Sequence, residues 1–321
     1  MRTMGRGLDD ANPQPMTGAR FDLPAIRGHN SVMSQAPLTV FYSPAYVVEA
    51  KTETVTKAKL VAEMIKAGKA GEVWLEAPKL ATRKELELIH APEHVRSTFE
   101  DKGAFLEAGP WSQALLDSIL ASTGGMRDAV KEALKNGRSG SLSSGLHHAR
   151  RNSGNGFCQF NGLALAALEA LKKVKTVGIL DLDAHAGGGT FDILGEHKRV
   201  YLADVTVNSF DSWEPTDSQR HFYVEVDDPR GYLGHVEDAL HSLERVDFLI
   251  YNAGMDTYEK AGGMKGITKE MIRKREKLVV HWARARKIPH IFALAGGYKW
   301  GGLTLAQVAE LHLETVKAFA A

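Results

Sequence analysis

What this 321-residue sequence lacks excludes several classes of protein. Its single cysteine, Cys158, cannot form a disulfide within the chain, so a reducing compartment such as the cytoplasm is expected. No run of 18 apolar residues is present, so no membrane-spanning helix and no membrane partner are predicted. The net charge is +1, without a long basic run, which argues against a nucleic-acid-binding surface.

The first 34 residues also lack the apolar core of a secretory signal. They are polar, with glycine and proline interspersed, and are predicted to form a flexible or partner-bound arm (residues 1–34). The rest of the chain has ordinary globular composition, with no linker-like change and no internal repeat. We therefore predict a single domain over residues 35–321.

From residue 38 onward, short apolar segments alternate with amphipathic ones, a pattern typical of an α/β fold with a parallel sheet covered by helices on both faces. Strands are predicted at 38–42, 176–182, 198–204, 221–226, 246–251 and 289–294. Helices are predicted at 54–67, 82–100, 111–136, 159–173, 231–243, 268–287 and 304–319. Gly124-Gly125 is expected to interrupt the third helix, and residues 136–156 are expected to form a polar loop.

The most informative segment is TVGILDLDAHAGGGT (176–190). Asp181, Asp183 and His185 are spaced two apart at the end of an apolar strand, so their side chains point the same way. Carboxylates this close require a cation between them or a costly pKa shift. Because Asp and His are suitable zinc ligands, the segment predicts a divalent metal rather than ordinary loop capping.

Polar side chains follow two further predicted strands, in NAGMD (252–256) and AGGY (295–298). Open α/β sheets bind ligands beyond the carboxyl ends of their strands. The predicted rim therefore gathers Asp183, His185, Asp256 and Tyr298. His147 and His148, in the loop before the 159–173 helix, can reach the same rim.

Five motifs now stand in order: GLHHAR (145–150), GFCQFN (156–161), DLDAHAGGGT (181–190), NAGMDTY (252–258) and LAGGY (294–298). Together they resemble the histone deacetylase family, within the arginase/deacetylase superfamily, and in particular its bacterial-type histone deacetylase-like amidohydrolases. The resemblance extends from about residue 38 to the C-terminus. It implies a single-domain parallel-sheet fold of the arginase/deacetylase type.

The resemblance also implies roles for individual residues. One Zn²⁺ per chain would be held by Asp183, His185 and Asp256, since three protein ligands plus an open position form the catalytic zinc arrangement. Tyr298 would donate a hydrogen bond to the oxyanion at the substrate carbonyl. His147 and His148 would flank the attacking water, with His148 as the base.

Further residues would support this site. Asp181 would orient His147 and help to line a structural monovalent-cation site, for which K⁺ is the candidate ion. Asp204 would strengthen that site or merely cap its strand. The substrate channel would include Gly156, Phe157, Gly296 and Gly297.

The chain departs from the family pattern D-x-D-x-H-H-G-D-G at Ala186 and Gly188. In the family, the aspartate that corresponds to Gly188 partners the second histidine of the tandem pair. His148 is therefore expected to lack its carboxylate and to be less basic and less rigidly oriented. Otherwise another group must substitute for it.

These features predict a metal-dependent amidohydrolase that removes acyl groups from N-acyl amines, either acyl-lysine side chains or acetylpolyamines. The substrate partner would be a small molecule or a peptide, selected by rim loops such as 206–220, and a homo-oligomer is compatible with the sequence. A ureohydrolase is an alternative, although Gly187 stands where a binuclear site needs a carboxylate. A second aspartate is likewise missing beside Asp256, which Thr257 and Tyr258 follow. A metal-binding pseudoenzyme that binds acylated ligands is a second alternative.

Overall fold

An eight-stranded parallel sheet forms the centre of the structure, a computed structural model that describes residues 36–48 and 56–321. Its strands are β1 (Leu38–Phe41), β2 (Val73–Glu76), β5 (Arg138–Ser141), β6 (Val177–Asp181), β7 (Val200–Thr206), β8 (His221–Glu225), β9 (Leu249–Asn252) and β10 (His290–Ala293). Their order is β2-β1-β5-β10-β9-β6-β7-β8. The short strands β3 (Phe105–Leu106) and β4 (Gly109–Pro110) pair separately and antiparallel. The predicted arm, residues 1–34, lies outside the described residues.

Helices pack against both faces of this sheet. They are α1 (Lys57–Lys66), α2 (Arg83–Leu86), α3 (Pro92–Glu100), α4 (Gln113–Asn136), α5 (Gly162–Ala170), α6 (Gly188–Leu194), α7 (Tyr232–Ser242), α8 (Lys269–Ala285) and α9 (Leu305–Ala320). Neighbouring residues of β6 enter different hydrophobic clusters, Ile179 on one face and Leu180 on the other. The alternation shows that both faces are buried, as the apolar strand sequences predict. None of the described helices is both long and apolar enough to cross a bilayer.

The predicted α/β fold is confirmed, whereas two helix predictions are wrong. Gly124 and Gly125 do not interrupt α4, which is continuous. Their lack of a side chain serves close packing, because a Cβ on Gly125 would lie 1.9 Å from the Tyr46 hydroxyl. The predicted 82–100 helix is two helices, since Pro92 begins α3 and a proline disfavours helical backbone just before it.

The interpretation of residues 136–156 as a loop is also wrong in part. This stretch contains β5, which lies between β1 and β10 in the middle of the sheet. Its sequence, RSGS, has no apolar side chain and therefore gives no strand signal. Gly140 is required there, since a Cβ would lie 2.1 Å from the Phe292 ring.

The topology brings the polar clusters to one edge of the sheet. β9 lies between β10 and β6, and Asn252 is in register with both Ala293 and Asp181. All three strands are parallel, so their carboxyl ends meet at this edge. The segments after β6, β9 and β10 therefore share one rim, as predicted.

Candidate metal centre and active site

The three predicted metal ligands lie together at the rim. One ligand atom from each of Asp183, His185 and Asp256 lies within 4.8 Å of the other two. His185 Nδ1 is 3.1 Å from Asp183 Oδ1 and 3.4 Å from Asp256 Oδ2. In the described part of the chain, this is the only such group of three or more His, Cys, Asp or Glu side chains.

Backbone amides hold the two carboxylates in place. Ala184 N donates to Asp256 Oδ1 at 3.0 Å, and Gly296 N donates to Asp183 Oδ2 at 2.7 Å. Asp256 Oδ2 is buried and has no hydrogen-bond partner among the described residues. A Cβ on Gly296 would lie 2.0 Å from that oxygen. Any side chain at position 296 would therefore collide with this buried carboxylate oxygen.

The charges of this group fit a cation. Burial and the charge of Asp183 raise the pKa of Asp256. Burial lowers the pKa of His185, but the adjacent carboxylates of Asp183 and Asp256 outweigh burial and raise it to about 10. The carboxylates thus hold a proton on the imidazole, and a divalent metal ion would displace that proton. Two oxygens and one imidazole nitrogen suit zinc.

The first histidine of the tandem pair is held by the end of β6. The Nδ1 of His147 lies 2.7 Å from Asp181 Oδ2, and its Nε2 lies 3.8 Å from Asp183 Oδ1. Burial lowers the pKa of His147, but the charges of Asp181 and Asp183 prevail and raise it to about 10. The structure therefore brings Asp181 to His147 as expected from the resemblance.

The second histidine has a carboxylate partner from elsewhere in the chain, so the structure agrees with the alternative in which another group substitutes for the missing aspartate. The Nδ1 of His148 lies 2.9 Å from Asp211 Oδ2. Asp211 belongs to the loop between β7 and β8, far in sequence from Gly188. The pKa of His148 is nevertheless lowered to about 4, first by burial and then by the neighbouring His147. The low basicity that was expected is present, but for a different reason.

Tyr298 lies near the metal-binding group and lines both cavities beside it. Its ring centroid is 6.5 Å from that of His185, and its ring stacks on Trp300 at 4.1 Å. Burial and the charges of Asp256 and Asp183 raise the pKa of Tyr298, so the phenol is protonated at neutral pH. Its hydroxyl is therefore available as a hydrogen-bond donor.

Two adjoining cavities lead to these groups. The inner one, of about 50 Å³, is bordered by residues that include His147, His148, Gly156, Phe157, Asp183, Gly296 and Tyr298. The outer one, of about 260 Å³, shares His148, Gly156, Phe157 and Tyr298 and adds His185, Asn208, Phe210 and Trp300. Three of the predicted channel residues therefore line the cavities. The fourth, Gly297, packs against His312 instead, since a Cβ there would lie 2.7 Å from its Nε2.

The two residues predicted for a monovalent-cation site lie side by side. Asp181 and Asp204 are register partners in β6 and β7. Asp204 accepts hydrogen bonds from Gly187 N at 2.9 Å and Trp213 Nε1 at 2.6 Å. Burial, and then the charge of Asp181, raise the pKa of Asp204 to about 8. This unfavourable pairing of carboxylates is a suitable place for a cation.

The sequence did not indicate Asp211, nor did it indicate two buried basic residues near the site. Lys57 Nζ donates to the carbonyl oxygen of Ala295, just before Gly296. Arg275 donates to Leu182 O at 3.2 Å and to Thr257 Oγ1 at 3.1 Å, which ties together the two segments that carry the metal-binding aspartates. Each residue is one of several charged residues in an amphipathic helix, so nothing in the sequence distinguishes it from its solvent-facing neighbours.

The chain is similar to several known proteins. The family model described as "Histone deacetylase domain" matches residues 50–220. An uncharacterized protein of Picosynechococcus sp. is 31% identical over 235 residues, which cover 69% of this chain and 77% of that protein. Histone deacetylase 2 of Arabidopsis thaliana is 30% identical over 58% of this chain and 51% of its own length. Acetylpolyamine amidohydrolase of Burkholderia pseudomallei is 26% identical over 60% of this chain and 58% of its own length.

The fold has a solved counterpart as well. The HD domain of HDA15 superposes with a TM-score of 0.71, covering 89% of both chains, at 18% identity. At that identity the likeness establishes the fold alone, while the family model spans more than half of the chain. The chain belongs to the histone deacetylase family of hydrolases.

Proposed function

We propose that this protein is a metal-dependent deacylase that cleaves the amide bond of N-acyl amines. The observation that carries the proposal is the convergence of Asp183, His185 and Asp256. Asp183 itself lines the inner cavity, together with both tandem histidines and Tyr298. A metal-binding group alone would support many functions. Its combination with a base and a hydroxyl donor around one small cavity favours hydrolysis.

Asp183, His185 and Asp256 would hold one zinc ion. When bound, the metal would polarise the substrate carbonyl and lower the pKa of the attacking water. Because two of the three ligands are carboxylates, the charge of the ion would be largely neutralised. The protein's own groups must then supply part of the stabilisation of the transition state.

His148 would be the general base. With Nδ1 hydrogen-bonded to Asp211, its Nε2 is left to accept the proton of the attacking water and later to return it to the leaving amine. Its lowered pKa, about 4, keeps it neutral at pH 7. His147, held by Asp181, would stabilise the negative charge that develops beside it.

Tyr298 would donate a hydrogen bond to the carbonyl oxygen as that oxygen becomes negative. The hydroxyl keeps its proton because its pKa is raised. It lines the inner cavity together with the tandem histidines. The substrate carbonyl would therefore be bound between Tyr298 and the metal ligands, with the scissile bond facing His148.

The outer cavity supports an extended substrate with a slender chain next to the amide. Phe157 and Phe210 line it and are 46% and 45% exposed, so each offers an aromatic surface to a passing methylene chain. Acyl-lysine side chains and acetylpolyamines both have such a chain. The names of the relatives, histone deacetylase and acetylpolyamine amidohydrolase, include both substrate types.

The structure weakens the pseudoenzyme alternative. Its only support was the missing partner of His148, and Asp211 fills that role geometrically. A binuclear ureohydrolase gains no support either, since Gly187 and Thr257 contribute no second carboxylate and the described residues contain one candidate metal group.

The proposal is tested with zinc-reconstituted protein and a panel of acetyl-lysine peptides and N-acetylpolyamines. We expect turnover of at least one substrate type, and a loss of about a hundredfold to a thousandfold in kcat for Tyr298→Phe. Zinc content should be unchanged in that variant. Tyr258→Phe is the matched control, because Tyr258 is a buried tyrosine that lines neither cavity. Fully loaded protein that cleaves no member of the panel would refute the proposal.

A further inference from the structure

Asp211 is built into the site more firmly than an ordinary loop residue. Its side chain is 1% exposed. One carboxylate oxygen, Oδ2, accepts hydrogen bonds from both His148 Nδ1 at 2.9 Å and Gly189 N at 3.1 Å. The other, Oδ1, pairs with the guanidinium of Arg150. These polar contacts hold the carboxylate against the start of α6 and against the tandem-histidine loop, residues 142–161 between β5 and α5.

The backbone of Asp211 is adapted to this position. Its φ is +58°, in the left-handed region that residues other than glycine seldom adopt. Among the described non-glycine residues with positive φ, three others also adjoin the site, namely Leu146, Phe157 and Ala295. A left-handed backbone conformation is energetically unfavourable for a residue other than glycine. It is retained where the surrounding structure holds the residue in that conformation.

Asp211 and Gly188 compete for the same space. A Cβ on Gly188 would lie 2.3 Å from the Asp211 carbonyl oxygen and 2.6 Å from its Oδ1. Position 188 is where the family pattern has the aspartate that partners the second histidine. In this chain that carboxylate is absent, and the 207–220 loop occupies the vacated volume with a carboxylate of its own.

We infer that Asp211 is the positioning residue for His148, replacing the missing aspartate at position 188 from a different loop. The inference rests on the proposed function, because it assigns His148 as the base. By accepting the Nδ1 hydrogen bond, Asp211 fixes the tautomer in which Nε2 is unprotonated and the ring orientation that directs it to the cavity.

Because Asp211 belongs to the 207–220 loop, the partner of His148 is adjacent in sequence to a residue that lines the outer cavity. The preceding residue, Phe210, lines the outer cavity, and its ring centroid lies 5.0 Å from that of His148. Adjacent residues of one loop thus contact the substrate path and hold the base. Substitutions in this loop that alter substrate choice should therefore also alter the orientation of His148.

The kinetic test is a double-mutant cycle between Asp211→Asn and His148→Ala in zinc-loaded protein. Asp211→Asn should lower kcat by about 10- to 100-fold, less than the ~10²–10⁴-fold typical of a general base. KM and zinc content should stay within about twofold. In the His148→Ala background the same change should have almost no further effect, because a residue that acts through His148 has nothing left to position.

Asp192→Asn is the matched control. Asp192 also accepts a hydrogen bond from the tandem-histidine loop, at Arg151 N, but does not contact His148. It should leave kcat unchanged in both backgrounds. If Asp211→Asn is as costly without His148 as with it, Asp211 supports the loop only structurally and the inference is wrong.

Nitrogen-15 NMR of the histidine rings tests the same inference without activity. In zinc-loaded wild type, His148 should be the Nδ1–H tautomer, and Asp211→Asn should allow the other tautomer to appear. A wild-type His148 protonated on Nε2 would overturn the inference even if the enzyme is active. If the protein cleaves none of the substrates, the proposed function fails, while the tautomer still decides what Asp211 does.

Discussion

Two histidine–carboxylate pairs, His147 with Asp181 and His148 with Asp211, lie beside the candidate metal ligands. Both are joined through the histidine Nδ1, but different parts of the fold hold their carboxylates in place. Asp181 is the last residue of β6, a strand with neighbours on both sides, and it also accepts hydrogen bonds from Asn252 Nδ2 and Asp183 N. Asp211 comes from a loop and has a left-handed backbone. One pair is thus fixed by the sheet itself, whereas the other depends on how a loop folds over it.

The charges around the two pairs differ as well. Asp181 lies beside a second carboxylate, Asp204, whereas Asp211 lies beside the guanidinium of Arg150. The pKa of His147 is raised to about 10 and that of His148 is lowered to about 4. Environments that separate the pKa values of adjacent groups are a way to assign distinct roles to them. The histidine that stays neutral at pH 7, as the proposed base must, is therefore the one whose partner comes from a loop.

The largest effect should come from breaking the loop-borne pair with Gly188→Asp. The family pattern alone would make this change a restoration, but the new Cβ would collide with the backbone of Asp211. We expect a loss of about 1–3 kcal/mol in the free energy of unfolding, as overpacking typically costs, together with much lower turnover. Chemical denaturation and steady-state kinetics measure the two effects.

Gly234→Asp is the control for that variant, because a Cβ on Gly234 in α7 meets no atom within 4 Å. It should be close to wild type in both measurements. A Gly188→Asp protein with wild-type stability and higher activity would show that the loop yields easily, and that Asp211 is not locked against position 188.

A smaller effect, on the pH dependence of stability, is expected at the pair formed by His147 and Asp181. It arises from Asp204, the carboxylate next to Asp181. Its carboxyl has a folded-state pKa of about 8 against an ordinary 3.8, so it stays protonated when the unfolded chain has ionised. Stability is then lost as pH rises from about 4 to about 8, because the unfolded state binds fewer protons over that range. K⁺ bound between Asp181 and Asp204 should reverse this loss.

Near pH 8, KCl should therefore raise the melting temperature above that in choline chloride of equal ionic strength, by about 2–5 °C. Asp204→Asn should abolish the difference, whereas Asp211→Asn should keep it. Equal melting temperatures in both salts would remove the monovalent-cation assignment for Asp181 and Asp204.

The smallest effect should follow from Arg150→Gln, which removes the cationic neighbour of Asp211. The side chain of Arg150 is 38% exposed, so water can replace much of the interaction. We expect a fall of about two- to fivefold in kcat with unchanged zinc content, consistent with the modest energy of a partly exposed ion pair. A loss as large as that of Asp211→Asn would mean that Arg150, and not the carboxylate alone, orients the base.

The contrast between residues held by the sheet and residues held by a loop also explains which site residues could be predicted from the sequence. Asp183, His185 and Asp256 lie two to four residues beyond the ends of apolar strands, in segments with recognisable motifs. Parallel strands bring the segments that follow them to one edge of the sheet. Asp211 follows its strand by five residues, in a segment whose course depends on the volume left by Gly188. No local pattern encodes that fit, so the partner of His148 could not be found from the sequence.

The fold shows a similar division. The apolar strands were predictable because their side chains report burial, as in β6, where all five residues are buried. β5 was not, because RSGS has no apolar side chain, and the ring of the distant Phe292 requires its glycine, Gly140. The continuity of α4 through two glycines likewise depends on contacts with distant residues, Lys79 and Tyr46.

The most direct test of the whole account is a zinc titration of metal-free protein in which bound metal and amide hydrolysis are measured in the same samples. Activity should rise in proportion to bound zinc and stop rising at one ion per chain. Asp183→Ala and Asp256→Ala should bind no zinc at concentrations that saturate wild type and should stay inactive. Hydrolysis by the metal-free protein, or activity that requires a second ion, would contradict the account.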